Sequence, residues 1–223
     1  MDPVIILDYD GVLADSFELH FAEFSRLCRK LRLHRLDSRE VFRKIYEGDR
    51  LKQWLWAAVP RWLYVRLERR FRPRIEAVTR RAVPIEGMPH VVNELARRCP
   101  VYIITSNTTE TTNWFLETYA ITGVRDVLGA DKGTGKVRKI RGVVLQHPDR
   151  TAYYVGDTKA DMREARAAGA LPIGAAWGYH DAHKLDEASP ESIVDTPAML
   201  RDLFLTPEDV DDNHGAPETK QPT

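Results

Sequence analysis

Short apolar runs recur along the chain, and each is followed by polar residues. Four of them have the composition of strands buried on both faces of a parallel sheet: residues 4–7, 101–104, 152–155 and 171–176. A weaker run of the same kind covers residues 126–129. These runs predict the strands of one sheet.

Helical patterns alternate with these strands. They cover residues 90–98, 109–119, 137–146 and 160–168, and Gly169 is a typical C-terminal cap for the last of them. Strands that alternate with helices favour right-handed crossovers between parallel strands. The predicted fold class is therefore α/β, with a doubly wound, mainly parallel sheet.

Residues 17–83 interrupt this alternation, because they are helical in pattern and contain no run of the buried-strand type. We expect an inserted all-helical subdomain at 16–83 and a core formed by residues 1–15 and 84–205. Helices are predicted at 17–31 and 51–71, with aromatic residues that pack rather than bind a ligand. The acidic and polar stretch 206–223 is predicted to be a disordered tail.

Composition excludes several classes of partner. The formal net charge of the 223 residues is +0 and the pI is about 7.1, so no global field attracts nucleic acid or an anionic membrane. Cys28 and Cys99 lack metal-ligand spacing and are expected to be buried free thiols. The first apolar run is too short for a signal peptide or a membrane span, so we expect a soluble cytoplasmic protein.

Polar residues follow the predicted strands, at the edge where the carboxyl ends of parallel strands meet. Asp8 and Asp10 follow the first strand, and Asp157 and Asp161 follow the run at 152–155. Clustered carboxylates repel each other and raise their own pKa values unless a cation lies among them. Oxygen ligands alone favour Mg²⁺, so we expect a magnesium site.

A set of donors is predicted at the same edge. Thr105 offers a hydroxyl, Ser106 and Asn107 offer backbone N–H groups near a helix start, and Lys136 offers a positive charge before another helix. These groups would bind a phosphate opposite the metal. Lys132 and Lys139 lie close to Lys136 in the sequence and are alternatives for its role.

These motifs together resemble those of the haloacid dehalogenase superfamily. The segment DYDGVLADS at 8–16 resembles its first motif, IITS at 103–106 the second, Lys136 the third and GDTKAD at 156–161 the fourth. They occur in the family's order. The insertion is similar to the helical cap of phosphoglycolate-phosphatase-like members, so this resemblance implies a phosphatase with a cap.

The resemblance implies a role for each acidic residue. Asp8 would attack phosphorus and form an aspartyl-phosphate, while Asp10 would protonate the leaving oxygen and then activate water. Mg²⁺ would bind the Asp8 carboxylate, the Asp10 backbone carbonyl and Asp157. Asp161 would orient this metal site or pair with Lys136.

Alternatives to this reading remain open. A sugar-phosphate mutase of the β-phosphoglucomutase type would share the same residues, and a non-catalytic phosphometabolite-binding protein could retain the fold. The resemblance also disfavours carbon–halogen hydrolysis, because the haloacid dehalogenases of the superfamily lack a second acid at the place of Asp10. The expected partner is a small phosphorylated metabolite, which Arg50 or Lys52 of the insertion would contact. We expect a monomer or a homodimer.

Overall fold

The computed structural model describes residues 2–47, 74–133 and 135–206. Its strands are β1 (Pro3–Leu7), β2 (Ala14–Asp15), β3 (Val83–Pro84), β4 (Val101–Ile104), β5 (Asp126–Leu128), β6 (Thr151–Gly156), β7 (Leu171–Ala175) and β8 (Ser192–Val194). Its bounded helices are α1 (Phe17–Lys30), α2 (Arg39–Lys44), α3 (Met88–Arg98), α4 (Thr109–Thr118), α5 (Lys136–Gln146), α6 (Lys159–Ala168), α7 (Ala182–Asp186) and α8 (Pro197–Phe204). Short 3₁₀ turns span His34–Leu36 and Ala130–Lys132, and residues 74–79 are also helical.

Six parallel strands form the main sheet, in the order β5-β4-β1-β6-β7-β8. The central strand β1 is buried on both faces: Ile5 and Leu7 pack into one core, whereas Val4 and Ile6 pack into the other. An apolar side chain at every position is what such a strand requires. The predicted α/β class with a doubly wound, mainly parallel sheet is confirmed.

The four predicted helices of the core are present, and their bounds differ from the prediction by two residues at most. Gly169 has a φ of +90° and ends α6 as predicted. At the other end of α6, Thr158 accepts a hydrogen bond from the Asp161 backbone N–H, and the Asp161 carboxylate accepts one from the Thr158 backbone N–H. This reciprocal cap fixes the first turn of α6.

A second, two-stranded sheet lies where the chain enters and leaves the insertion. Strands β2 and β3 pair antiparallel, with Ala14 opposite Pro84 and Asp15 opposite Val83. The sequence predicts no strand at Val83, which it places at the end of the helical insertion, whereas the structure pairs this residue with Asp15 in β3. A two-residue strand has no periodic pattern to detect, and its partner is almost seventy residues away in sequence.

The described part of the insertion comprises α1, α2 and the helical residues 74–79. Aromatic side chains of α1 and α2 pack together, since the Phe42 ring lies 5.6 Å from Phe17, 5.8 Å from Phe21 and 5.1 Å from Phe24 between centroids. The predicted helix at 51–71 and the predicted tail beyond residue 206 lie outside the described residues. The division into core, cap and tail therefore stays a prediction.

Two smaller expectations concern cysteines and membranes. Cys28 and Cys99 are buried free thiols, as predicted. Among the helices that the structure describes, none combines the length and the apolar character that crossing a bilayer would need.

Gly142 lies inside α5, and a methyl group added there would meet nothing within 4 Å. Alanine loses less backbone entropy than glycine on entering a helix. We expect Gly142→Ala to raise the free energy of unfolding by about 0.5–1 kcal/mol, measured by urea denaturation of the metal-free protein. An unchanged or lower value would contradict the open surroundings of this position.

Candidate active site

The carboxyl ends of β1, β4 and β6 meet at one edge of the main sheet, as predicted. Asp8 follows β1, Thr105 follows β4 and Asp157 follows β6, while Lys136 begins α5. A cavity of about 510 Å³ opens above this edge. Its walls come from both the sheet edge and the described helices of the insertion, so the cavity is the candidate active site.

Asp8 is held by two donors. The Tyr9 backbone N–H donates to Asp8 Oδ1 at 2.8 Å, and Lys136 Nζ donates to Asp8 Oδ2 at 2.8 Å. Burial raises the pKa of Asp8 to about 7, and the attraction of Lys136 only partly opposes this increase. Asp8 therefore needs positive charge nearby to stay ionised at neutral pH.

Lys136 is the lysine that the structure places in the site. Its Nζ also donates to Asp161 Oδ1 at 2.6 Å, so it bridges two carboxylates. Burial lowers the pKa of Lys136, but attraction to Asp161 and Asp8 outweighs burial and holds this pKa well above its usual value. Lys139 instead donates to backbone carbonyls, including that of Leu128 at 3.2 Å, so it is engaged elsewhere.

Carboxylate oxygens of Asp8, Asp157 and Asp161 all lie within 4.8 Å of one another, and all three residues are buried. Burial, followed by repulsion from Asp161 and Asp8, raises the pKa of Asp157 well above its ordinary value. A divalent cation would relieve this repulsion. An all-oxygen donor set fits a hard cation, so the residues present fit a magnesium ion.

Asp161, like Asp8, accepts hydrogen bonds on both of its carboxylate oxygens. Its Oδ1 accepts from Lys136, and its Oδ2 accepts from the backbone N–H and the hydroxyl of Thr158 at 3.1 and 2.5 Å. Of the two roles predicted for Asp161, orienting the metal site or pairing with Lys136, the contacts favour the second.

Two glycines allow the backbone to approach Asp157 closely. A methyl group added at Gly178 would overlap the Asp157 side chain, and one at Gly11 would overlap the Asp157 carboxylate. Gly11 also has a φ of +74°, which favours glycine. The backbone on both sides therefore confines the Asp157 carboxylate.

Asp10 lies in the tight turn that connects β1 to β2. Its Oδ2 accepts a hydrogen bond from Asn107 Nδ2 at 2.7 Å. Its Oδ1 is buried without a hydrogen-bond partner among the described residues, and His20 Nε2 lies 3.8 Å from it. One oxygen of Asp10 is thus anchored, whereas the other is buried without a hydrogen bond in the described part of the chain.

The contacts of Thr105, Ser106 and Asn107, in and directly after the second motif, differ in part from the prediction. The Asn107 backbone N–H, which we expected to bind phosphate, donates instead to Thr105 Oγ1 at 3.0 Å. Thr105 is buried behind this contact, while Ser106 is exposed and lines the cavity together with Asn107. Asn107 therefore contributes its side chain to Asp10, and the phosphate-binding roles of Thr105 and Ser106 stay predictions.

Sequence reasoning missed a hydrogen-bonded chain between the insertion and the core. Tyr179 Oη lies 2.9 Å from His20 Nδ1, and His20 Nε2 lies 3.0 Å from Thr79 Oγ1. Because the Thr79 hydroxyl donates to the Ile75 carbonyl, His20 Nε2–H is the donor to Thr79. Tyr179 follows β7, so the rule that strand ends converge could have identified it.

The loop after β7 makes a second set of contacts with α2. Arg43 Nε donates to the Tyr179 carbonyl at 3.0 Å. In return, His180 Nε2 lies 3.1 Å from the Arg43 carbonyl, while His180 Nδ1 accepts from the Lys159 backbone N–H at 3.1 Å. Burial lowers the pKa of His180, in keeping with a neutral ring that accepts at Nδ1.

Arg50 and Lys52, which were predicted to contact the leaving group, lie outside the described residues.

Comparisons with known proteins agree with this geometry. Residues 5–175 match the model of the family described as haloacid dehalogenase-like hydrolase. A phosphoglycolate phosphatase of Synechococcus elongatus is 25% identical over 88% of this chain and 94% of its own length. The chain belongs to the haloacid dehalogenase-like hydrolase family. Within that family it is a phosphatase-type enzyme, similar to a phosphoglycolate phosphatase.

Solved structures share the fold. A haloacid dehalogenase-like hydrolase from Streptococcus pneumoniae has a TM-score of 0.76 at 22% identity, covering 92% of this chain and 99% of that one. A hydrolase from Pseudomonas syringae has a TM-score of 0.70 at 17% identity, covering 91% and 98%. At these identities the likeness concerns the fold alone.

The close approach at Gly178 gives a prediction. Gly178→Ala should displace the Asp157 carboxylate and lower kcat/KM by about 100-fold, because small misplacements at a catalytic site cost this much. Steady-state kinetics on p-nitrophenyl phosphate with Mg²⁺ measures the effect. Gly142→Ala, which adds the same methyl group to open space, is the matched control. Equal activity of the two variants would show that Asp157 is not confined by this backbone.

Proposed function

We propose that the chain is a Mg²⁺-dependent phosphatase that hydrolyses a small-molecule phosphomonoester through an aspartyl-phosphate on Asp8. This proposal rests on the position of Asp8. Its carboxylate is fixed by Lys136 and the Tyr9 backbone, and it lies within the carboxylate cluster beside Asp10. A nucleophile, a candidate acid and a cation site therefore share one cavity.

Asp8 and Lys136 would act on the phosphoryl group directly. Asp8 attacks phosphorus, and the bond to the leaving oxygen breaks as the bond to Asp8 forms. Lys136 partly offsets the effect of burial on the pKa of Asp8, and it would place a positive charge beside the oxygens of the transferring group. Bound Mg²⁺, held by Asp8, Asp157 and the Asp10 carbonyl, would supply further positive charge to these oxygens.

Asp10 would carry the proton in both half-reactions. Asn107 Nδ2 donates to Asp10 Oδ2, so this oxygen remains an acceptor. Asp10 would protonate the leaving oxygen and then remove a proton from the water that hydrolyses the aspartyl-phosphate.

The substrate is a separate proposal. Phosphoglycolate is the first compound to assay, because a relative that matches most of the chain is named a phosphoglycolate phosphatase. Arg50 and Lys52 were predicted to contact an anionic leaving group, and this stays a prediction. A mutase would return the phosphoryl group to its substrate, so release of inorganic phosphate distinguishes the two activities.

Asp8→Asn should lower kcat on the order of 10⁴-fold, since a neutral amide cannot form the acyl phosphate. Asp10→Asn should lower kcat by about 10²- to 10⁴-fold, but it should keep most of its Mg²⁺ affinity because its proposed ligand is a backbone carbonyl. Phosphate release measures kcat, and calorimetry measures Mg²⁺ binding. Substantial activity of Asp8→Asn would refute the nucleophile, and lost Mg²⁺ affinity in Asp10→Asn would refute the division of roles.

Stabilisation by Mg²⁺ should increase with pH. The pKa of Asp8 in the metal-free fold is about 7, above its ordinary value of 3.8, so the folded protein retains a proton that the unfolded chain releases between these pH values. The metal-free protein therefore loses stability as pH rises through this window, and Mg²⁺ replaces the proton. At a fixed Mg²⁺ concentration, the increase in Tm should be larger at pH 8 than at pH 6.

Differential scanning fluorimetry with and without Mg²⁺ measures this difference. Asp157→Asn removes one predicted ligand and serves as the control, in which the Mg²⁺-dependent increase should disappear at both pH values. An increase in wild-type Tm of the same size at pH 6 and pH 8 would contradict proton–metal competition at this cluster.

A further inference from the structure

The side chain of Lys136 is long, and its conformation matters because its ammonium bridges two acids. It extends from the first residue of α5 and bonds to Asp8 and Asp161, while 21% of the side chain stays exposed. A lysine side chain has several rotatable bonds and loses rotamer entropy when it is held in one conformation. Contacts along its buried side therefore help to keep the ammonium between the two acids.

Tyr154 lies on the buried side of Lys136. It belongs to β6, is completely buried, and packs in the same core as Val4, Ile6 and Ile140. Lys136 Nζ lies over the Tyr154 ring, 5.6 Å from its centroid. An ammonium within about 6 Å of an aromatic ring is attracted by the partial negative charge of its face. The ring therefore attracts the ammonium from the side of the core.

This contact involves the ring of Tyr154 rather than its hydroxyl. Tyr154 Oη is buried without a hydrogen-bond partner among the described residues. Burial, followed by repulsion from Asp8, raises the pKa of Tyr154 well above its ordinary value, so the side chain is neutral. Tyr154 thus offers Lys136 an aromatic face without adding a charge to the carboxylate cluster.

Gly156, at the end of β6, makes room for both neighbours of Lys136. A methyl group added at Gly156 would overlap the Asp161 side chain and would lie 3.0 Å from Cε1 of Tyr154. A side chain at this position would therefore displace the acid that Lys136 bonds, and it would press on the ring beside the ammonium. The glycine of the fourth motif serves the ring as well as the acid.

We infer that Tyr154 is a positioning residue for Lys136, whose ring holds the ammonium between Asp8 and Asp161; this inference rests on the proposed phosphatase function. Without the ring, the lysine would gain other conformations, and water beside the ammonium would weaken its attraction to the two acids. Asp8 would then be less firmly oriented for its attack on phosphorus, and small misplacements of a reacting group are costly.

Tyr154→Leu removes the ring, whereas Tyr154→Phe removes only the hydroxyl. With p-nitrophenyl phosphate and Mg²⁺, we expect Tyr154→Leu to lower kcat by about 10- to 100-fold. Tyr154→Phe keeps the aromatic face and should lower kcat by less than about threefold. A loss of kcat in Tyr154→Phe as large as that in Tyr154→Leu would overturn the inference.

Tyr102→Leu is the matched control for lost packing. Tyr102 is a buried tyrosine of the same core, and its hydroxyl contacts His147 rather than the site. We expect this variant to lower kcat by less than about threefold, because it leaves the surroundings of Lys136 intact. Equal losses in Tyr102→Leu and Tyr154→Leu would show that the ring only packs, and would overturn the inference.

A double-mutant cycle with Lys136→Met tests whether Tyr154 acts through the lysine. Methionine keeps most of the side-chain length but has no charge, so Tyr154→Leu should lower kcat by no more than about threefold in this background. The same fall in both backgrounds would overturn the inference while leaving the phosphatase proposal intact. Should Tyr154→Leu not fold, Tyr154→Met fills more of the space of the ring and carries the same expectations.

Urea denaturation of the metal-free proteins provides this cycle without turnover. Tyr154→Leu should lower the unfolding midpoint less in the Lys136→Met background than in the wild type, whereas Tyr102→Leu should lower it equally in both. Equal effects of Tyr154→Leu in the two backgrounds would overturn the inference even if no substrate were hydrolysed. Lack of turnover by wild-type protein on every phosphoester assayed with Mg²⁺ would overturn the proposed function instead.

Discussion

The structure of the site depends on burying negative charges next to one partly buried lysine. Asp8, Asp157 and Asp161 lie within 4.8 Å of one another, and Lys136 bonds to two of them. Removing carboxylates from water is costly unless opposite charge and hydrogen bonds compensate. One lysine cannot neutralise three carboxylates. Burial and mutual repulsion accordingly raise the pKa values of Asp8 and Asp157, and an additional cation beside these carboxylates would lower them.

This constraint determines the backbone around the cluster. Each acid accepts a hydrogen bond from a nearby backbone N–H: Asp8 from Tyr9, Asp157 from Tyr179 and Asp161 from Thr158. Such contacts need the backbone to come close, and at Gly11 and Gly178 the backbone is so near Asp157 that an added methyl group would overlap its side chain. The fold thus supplies part of the charge compensation through main-chain dipoles, which need no side-chain ordering.

Local patterns account for what the sequence predicted well. The strand at 4–7 is apolar throughout because both of its faces are buried, and Asp8 follows it directly. Strand β8 escaped prediction because its three residues include Ser192 and only Val194 is fully buried. The hydrogen bond from the Asn107 side chain to Asp10 was also not predicted. A sequence does not show whether the side chain or the backbone N–H of a residue will face the site. The contact of His20 with Tyr179 joins residues 159 positions apart, which no local pattern indicates.

Tyr179 connects the carboxylate cluster to the insertion. Its backbone N–H donates to Asp157 Oδ2 at 2.7 Å, while its hydroxyl contacts Ser16 and His20, and the residue also lines the cavity. A movement of the insertion that shifts His20 would therefore act on the residue that holds Asp157. Since His20 also lies 3.8 Å from Asp10 Oδ1, the same movement would alter the surroundings of the proposed acid. The positions of Asp157 and Asp10 are thus linked to the insertion through Tyr179 and His20.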